Sequence, residues 1–156
     1  MKELSRTVNL SDEAATRRLG AALAALARPG DVIALRGTLG AGKSTLARAF
    51  IRAVTTPDEE VPSPTFTLVQ QYDGEAGLIW HFDLYRLEKP EDALELDIEE
   101  AFAEGISLIE WPDRLGRHLP RRRLDITLAA GDDEGGRTVT LTATGPWAAR
   151  LGEINP

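Results

Sequence analysis

Gly37-Thr38-Leu39-Gly40-Ala41-Gly42-Lys43-Ser44 has the form G-x-x-x-x-G-K-[ST]. Before it, Asp31-Val32-Ile33-Ala34-Leu35-Arg36 is a short, mostly apolar run with the character of a buried strand. After it, Leu46, Phe50 and Ile51 mark the buried face of a helix. Strand, glycine loop and helix in that order make a P-loop (Walker A) phosphate cradle. The glycines let the backbone turn so that successive N–H groups converge on phosphate oxygens, and the helix directs the positive end of its dipole at the same anion. Lys43 supplies a point charge to the outer phosphates, and the Ser44 hydroxyl is of the type that ligates a bridging magnesium ion. An ordinary glycine turn would explain the glycines but neither the Lys-Ser pair nor the flanks. The expected ligands are ATP and Mg2+, with nucleotide contacts running from Gly37 through Thr38, Leu39, Gly40, Ala41, Gly42, Lys43 and Ser44 to Thr45.

Magnesium in such a loop needs a further acidic anchor, normally at the carboxyl end of a neighbouring strand. Two positions qualify: Asp83 after Leu78-Ile79-Trp80-His81-Phe82, and Glu110 after Ile106-Ser107-Leu108-Ile109. The spacing does not rank them. Ser63-Pro64-Thr65 lies in the irregular segment after the loop helix, where nucleotide switches place a hydroxyl that senses the γ-phosphate through the metal, so Thr65 is the candidate sensor. Guanine-reading proteins carry an Asn-Lys-x-Asp element, which is missing here. Asp132-Asp133-Glu134-Gly135 has a D-x-x-G shape but falls in a late hairpin turn, where such residues are expected anyway.

Further out, Ala15, Leu19, Ala22, Leu23 and Leu26 recur at helical spacing, with Ser11 as N-cap and Pro29-Gly30 as the stop. Phe66 to Tyr72 and Leu78 to Phe82 read as the strands of a hairpin. Lys89 to Phe102 reads as one or two short helices broken near Asp97. Leu124 to Ala130 and Arg137 to Thr144 alternate about a Gly131 to Gly136 turn, which predicts a second hairpin, followed by a short helix from Trp147. Strands alternating with helices around a P-loop predict an α/β fold: a three-layer P-loop NTPase-like sandwich with a mixed, mainly parallel sheet, formed by residues 1–156 as one domain.

Hydrophobic content of 42% and charged content of 28% are ordinary globular values, which disfavours disorder or a fibrous repeat. The formal net charge of −7 would repel a polyanion over most of the surface, so any RNA role needs a basic partner. The absence of cysteine removes disulfides, thiolate metal sites and cysteine nucleophiles. The start lacks the apolar segment of a signal peptide, and the longest apolar run falls short of the ~18 residues that span a bilayer, so a cytoplasmic protein without membrane contact is expected. His81 and His118 have no further ligand or nucleophile spaced with them and read as structural. Trp80, Trp111 and Trp147 read as packing residues, and the arginines at 117 and 121–123 as a solvated loop entering a strand.

The P-loop is followed in order by Val61-Pro62-Ser63-Pro64-Thr65-Phe66-Thr67-Leu68-Val69, His81-Phe82-Asp83-Leu84-Tyr85-Arg86-Leu87 and Ile109-Glu110-Trp111-Pro112. Together these blocks closely resemble the TsaE family, the bacterial ATPases required for tRNA threonylcarbamoyladenosine biosynthesis, from about Ser11 to the last strand. The resemblance implies a small cytoplasmic ATPase that acts on the TsaB and TsaD proteins, meets tRNA only indirectly through them, and hydrolyses ATP weakly until they bind. It implies Lys43, Thr65, Asp83 and Glu110 as the catalytic set, with Ser44 and Glu110 on magnesium and Asp83 near the attacking water; the two acids could exchange roles as metal ligands. Glu13 and Thr16 would approach the adenine, and the Gly131 to Glu134 turn would close over the base. The family's P-loop usually has aspartate where this chain has Thr38, so a negative charge beside the phosphates is missing. Two other readings share the P-loop: a small-molecule kinase, and a nucleotide-gated interaction module with little turnover.

Overall fold

The computed structural model describes residues 3–38, 40–131 and 135–155. Strand β1 (Glu3–Leu10) leads into helix α1 (Glu13–Leu26), then β2 (Val32–Arg36), the glycine loop and α2 (Lys43–Val54). A hairpin of β3 (Val69–Gly74) and β4 (Gly77–Asp83) follows. A 3-10 segment, Pro90–Leu96, and α3 (Ile98–Glu104) come next, then β5 (Ile106–Glu110) and a second 3-10 segment, Pro112–His118. Strands β6 (Leu124–Ala130) and β7 (Arg137–Thr144) and helix α4 (Pro146–Arg150) complete the order.

All strands join one 7-stranded sheet in the order β1-β7-β6-β2-β5-β4-β3. The central strands β6, β2, β5 and β4 are parallel, and β7, β1 and β3 add antiparallel edges. Period-two alternation divides the apolar side chains between the two faces. Ile33, Leu35, Ile79, Ile106 and Leu108 pack with α1 and α2, whereas Val32, Trp80, Phe82 and Ile109 pack with α3 and the 3-10 segments. Fully burying each such side chain is worth about 1.5–3 kcal/mol, so both layers hold the central strands. This is the layered α/β arrangement with a mixed sheet that the sequence predicts.

Several boundaries differ from that reading. Helix α1 is capped by Asp12, not Ser11: an Asp12 carboxylate oxygen accepts from the Ala15 backbone N–H at 2.8 Å. Phe66 lies outside the hairpin and is 82% exposed, because Leu68 N–H bonds the Pro64 carbonyl at 2.7 Å and closes a turn that delays β3 to Val69. The break at Asp97 stands where expected, with φ 60 at that residue. Strand β1, absent from the elements that the sequence predicts, pairs with β7 through its whole length, and its alternation buries Leu10 and half-buries Val8 against the α1 side. Leu39, and Asp132, Asp133 and Glu134 of the turn expected over the base, lie outside the described residues.

Candidate functional site

Register assembles the site. Leu35 on β2, Glu110 on β5 and Asp83 on β4 are aligned partners across adjacent parallel strands, so both acids stand at the carboxyl edge beside the loop that leaves β2. Positions 106, 108 and 110 share one face of β5, and 79, 81 and 83 share one face of β4. That face is the one α2 covers. The chain therefore brings the acids to the amino end of α2, where Lys43 and Ser44 begin the helix.

The loop backbone requires its glycines. Gly37 has φ +141, and a Cβ there would stand 2.6 Å from the Leu128 carbonyl oxygen. Gly42, the N-cap of α2, has φ 103. Arg137, the first residue of β7, grips the loop from outside: Nε donates to the Ala41 carbonyl at 2.7 Å and a terminal nitrogen to the Gly40 carbonyl at 3.1 Å. No motif singles out Arg137 in the sequence; its role depends on where the second hairpin lands.

A cavity of about 280 Å³ at this edge is lined by Gly40, Gly42, Lys43, Ser44, Thr45, Ser63, Thr65, Asp83, Glu110, Trp111 and Arg137. Lys43 Nζ donates to the Gly37 carbonyl at 2.7 Å and lies 3.7 Å from the centroid of the Trp111 ring. Burial lowers the Lys43 pKa below its ordinary 10.5, against the opposing pull of the Glu110, Asp83 and Asp113 carboxylates. The Ser44 hydroxyl faces Glu110 Oε1 at 3.5 Å. Thr65 donates to Asp83 Oδ2 at 3.2 Å and meets the Ser63 hydroxyl at 2.7 Å, while Asp83 Oδ1 accepts the Tyr85 N–H at 3.1 Å. Thus Lys43, Ser44, Thr65, Asp83 and Glu110, which are scattered along the sequence, converge.

Glu13 and Thr16 stand to one side. They line a small recess of about 70 Å³ together with Gly42, Thr45, Gly135 and Arg137. Glu13 is paired with Arg17 at 3.1 Å, and Thr16 is buried. Thr38 is exposed.

Two residues read as structural in the sequence touch site residues. Trp111, held at φ 60 directly after β5, places its ring against Lys43. His81 Nε2 lies 2.7 Å from Glu110 Oε2 within the interior. A histidine in a strand carries no local signal of this contact, which depends on β4 and β5 being neighbours.

Hydroxyl and carboxylate oxygens around a cationic glycine loop suit a polyphosphate with a hard divalent cation. Among the described residues no group of three or more His, Cys, Asp or Glu side chains could hold a metal by itself.

The profile of the family described as "Threonylcarbamoyl adenosine biosynthesis protein TsaE" matches residues 10–139. Curated proteins named tRNA threonylcarbamoyladenosine biosynthesis protein TsaE are similar along most of the chain. The Bacillus subtilis protein is 41% identical over 147 residues, covering 93% of this chain and 89% of the relative. The Rickettsia bellii protein is 35% identical over 134 residues, covering 86% and 93%. The Aquifex aeolicus protein is 41% identical over 113 residues, covering 72% and 80%. The crystal structure of Bacillus subtilis YdiB superposes with a TM-score of 0.79 at 32% identity, covering 98% of this chain and 95% of that one. With the profile and these relatives spanning the loop, both acids and the Thr65 segment, the chain belongs to the TsaE family.

Proposed function

We propose that the protein binds and hydrolyses Mg-ATP, and that this ATPase cycle serves threonylcarbamoyladenosine modification of tRNA by acting on the TsaB and TsaD proteins. The observation that carries the reading is the convergence of Lys43, Ser44, Thr65, Asp83 and Glu110 on one cavity at the mouth of the glycine loop. The pathway comes from the relatives, which are named for that biosynthesis.

Magnesium, when bound, supplies electrostatic stabilisation of the phosphate oxygens; Ser44 and Glu110 would hold it. The chain's own groups do the rest. Loop amides and Lys43 bind and orient the triphosphate, the ammonium leaving the Trp111 face to reach it. Asp83 orients and accepts a proton from the attacking water, held in place by Thr65 and by the Tyr85 N–H. Glu13, Thr16 and Thr45 line the recess beside the loop, and the adenine would approach on that side. The acidic protein, with net charge −7, meets tRNA through its protein partners rather than directly.

The test is phosphate release from ATP with and without the TsaB and TsaD pair, together with complex formation by the wild type and Glu110→Ala. Release that rises with the partners and falls in the variant is expected. The Thr65 to Asp83 bond, which ties the segment after α2 to the site, also suits a second reading in which nucleotide binding alone gates partner affinity. Unchanged release with intact nucleotide-dependent binding would favour that gating.

A further inference from the structure

Strand β4 places His81 opposite Leu108 of β5, so Glu110 is its diagonal neighbour on the same face. Both side chains are buried, at 2% and 4% exposure. The Glu110 carboxylate is divided between two surroundings. Its Oε2 meets His81 Nε2 at 2.7 Å, and its Oε1 faces the Ser44 hydroxyl at 3.5 Å. A carboxylate only accepts, so Nε2 is the donor and carries the imidazole proton. His81 Nδ1 is buried with no hydrogen-bond partner among the described residues, and a proton placed there would be stranded in the interior.

We propose that His81 is a positioning residue for the metal site: its Nε2–H fixes Oε2 of Glu110 and thereby presents Oε1, beside Ser44, to the cation. The inference rests on Glu110 being a magnesium ligand. Its physical basis is that a glutamate side chain has several rotatable bonds, and a ligand whose far oxygen is already held loses less freedom when the near oxygen engages the ion. Carboxylates that ligate metals are commonly held in this way, and removing the supporting group lowers metal affinity or activity by about 10–100-fold. A merely structural His81 would support the packing of β4 on β5 and leave the magnesium dependence alone.

ATP binding to the purified protein is titrated against Mg2+, and separately measured in EDTA. In His81→Leu the Mg2+ concentration for half-maximal enhancement should rise about 10–100-fold, with metal-free affinity unchanged. His81→Gln, whose amide reaches the Nε2 position, should recover most of the loss. His81→Asn, whose amide ends near the level of Nδ1, should not, and this pair decides the matter if the leucine variant fails to fold. In a Glu110→Ala background the His81 substitutions should add nothing.

A wild-type magnesium profile in the His81 variants, an equal loss with and without metal, or glutamine no better than asparagine would overturn the positioning role. Glu110→Ala with an unaltered magnesium profile would remove the metal-ligand reading itself, and the role of His81 with it. A Glu110→Ala shift that the His81 variants do not share removes the positioning role alone.

Discussion

Lys43 Nζ sits 3.7 Å from the centroid of the Trp111 ring and 2.7 Å from the Gly37 carbonyl oxygen, enclosed at 5% exposure. The loop cation is thus desolvated, with an aromatic face and a carbonyl packed against it. Both contacts favour the charge, but burial still lowers its pKa.

Stability should rise when that charge is removed. Because the folded pKa lies below 10.5, the unfolded chain binds more protons between the lowered value and 10.5, and stability climbs with pH across that window. The cost of the buried charge is fully present below the folded pKa. Lys43→Met should therefore melt higher than wild type at neutral pH and show a flatter stability-pH curve on the alkaline side, measured by denaturant unfolding in the absence of nucleotide.

Nucleotide function should be lost in the same position. Backbone donors cannot replace a cation among clustered phosphates, and a single electrostatic donor at a reacting centre is commonly worth about 10²–10³-fold in rate. Lys43→Ala is expected to fall at least that far in phosphate release; calorimetric titration with Mg-ATP reads the accompanying loss of binding. Wild-type affinity in this variant would refute the site.

Arg137 tests whether side-chain bonds to its carbonyls hold the loop in shape. Its bonds to the Ala41 and Gly40 carbonyls preorganise the backbone that faces the phosphates. Losing bonds of this kind, each about 1 kcal/mol, should weaken ATP binding roughly tenfold in Arg137→Ala. Lysine cannot reproduce the forked geometry, so Arg137→Lys should recover little. Hydrogen exchange of residues 40–44 should quicken in both variants.

Thr65→Val removes the hydroxyl between Ser63 and Asp83 at nearly constant volume. Phosphate release should drop about five- to tenfold, the worth of one hydrogen bond, while Mg-ATP affinity is kept. Equal losses in both measurements would mean that Thr65 acts on binding rather than on Asp83.

Gly20→Ala probes the packing of α1 on α2. A Cβ at Gly20 would lie 2.7 Å from Ala49 Cβ and 3.0 Å from the Leu46 carbonyl oxygen, so the helices must separate. Overpacking of this kind costs about 1–3 kcal/mol, readable as a lowered denaturant midpoint.

Much of the fold is visible in local pattern. β2, β5, β6 and β7 stand where their apolar runs predict, and Asp97 breaks the acidic helical stretch as read. β1 is weakly marked in the sequence because it is mostly polar and exposed and its partner strand, β7, lies more than a hundred residues away. Phe66 has strand character by residue type, yet the turn from Pro64 to Leu68 overrides it.

From residue order alone came the glycine loop, its lysine and serine, the pair of acids at strand ends and the family resemblance. Each is written in a contiguous block whose chemistry follows from neighbouring residues. The tertiary structure decided which groups touch: Glu110 beside Ser44, His81 behind Glu110, Trp111 over Lys43 and Arg137 against the loop. Those contacts depend on strand order and register, which are set by burial summed over the whole sheet and leave no mark in any single segment.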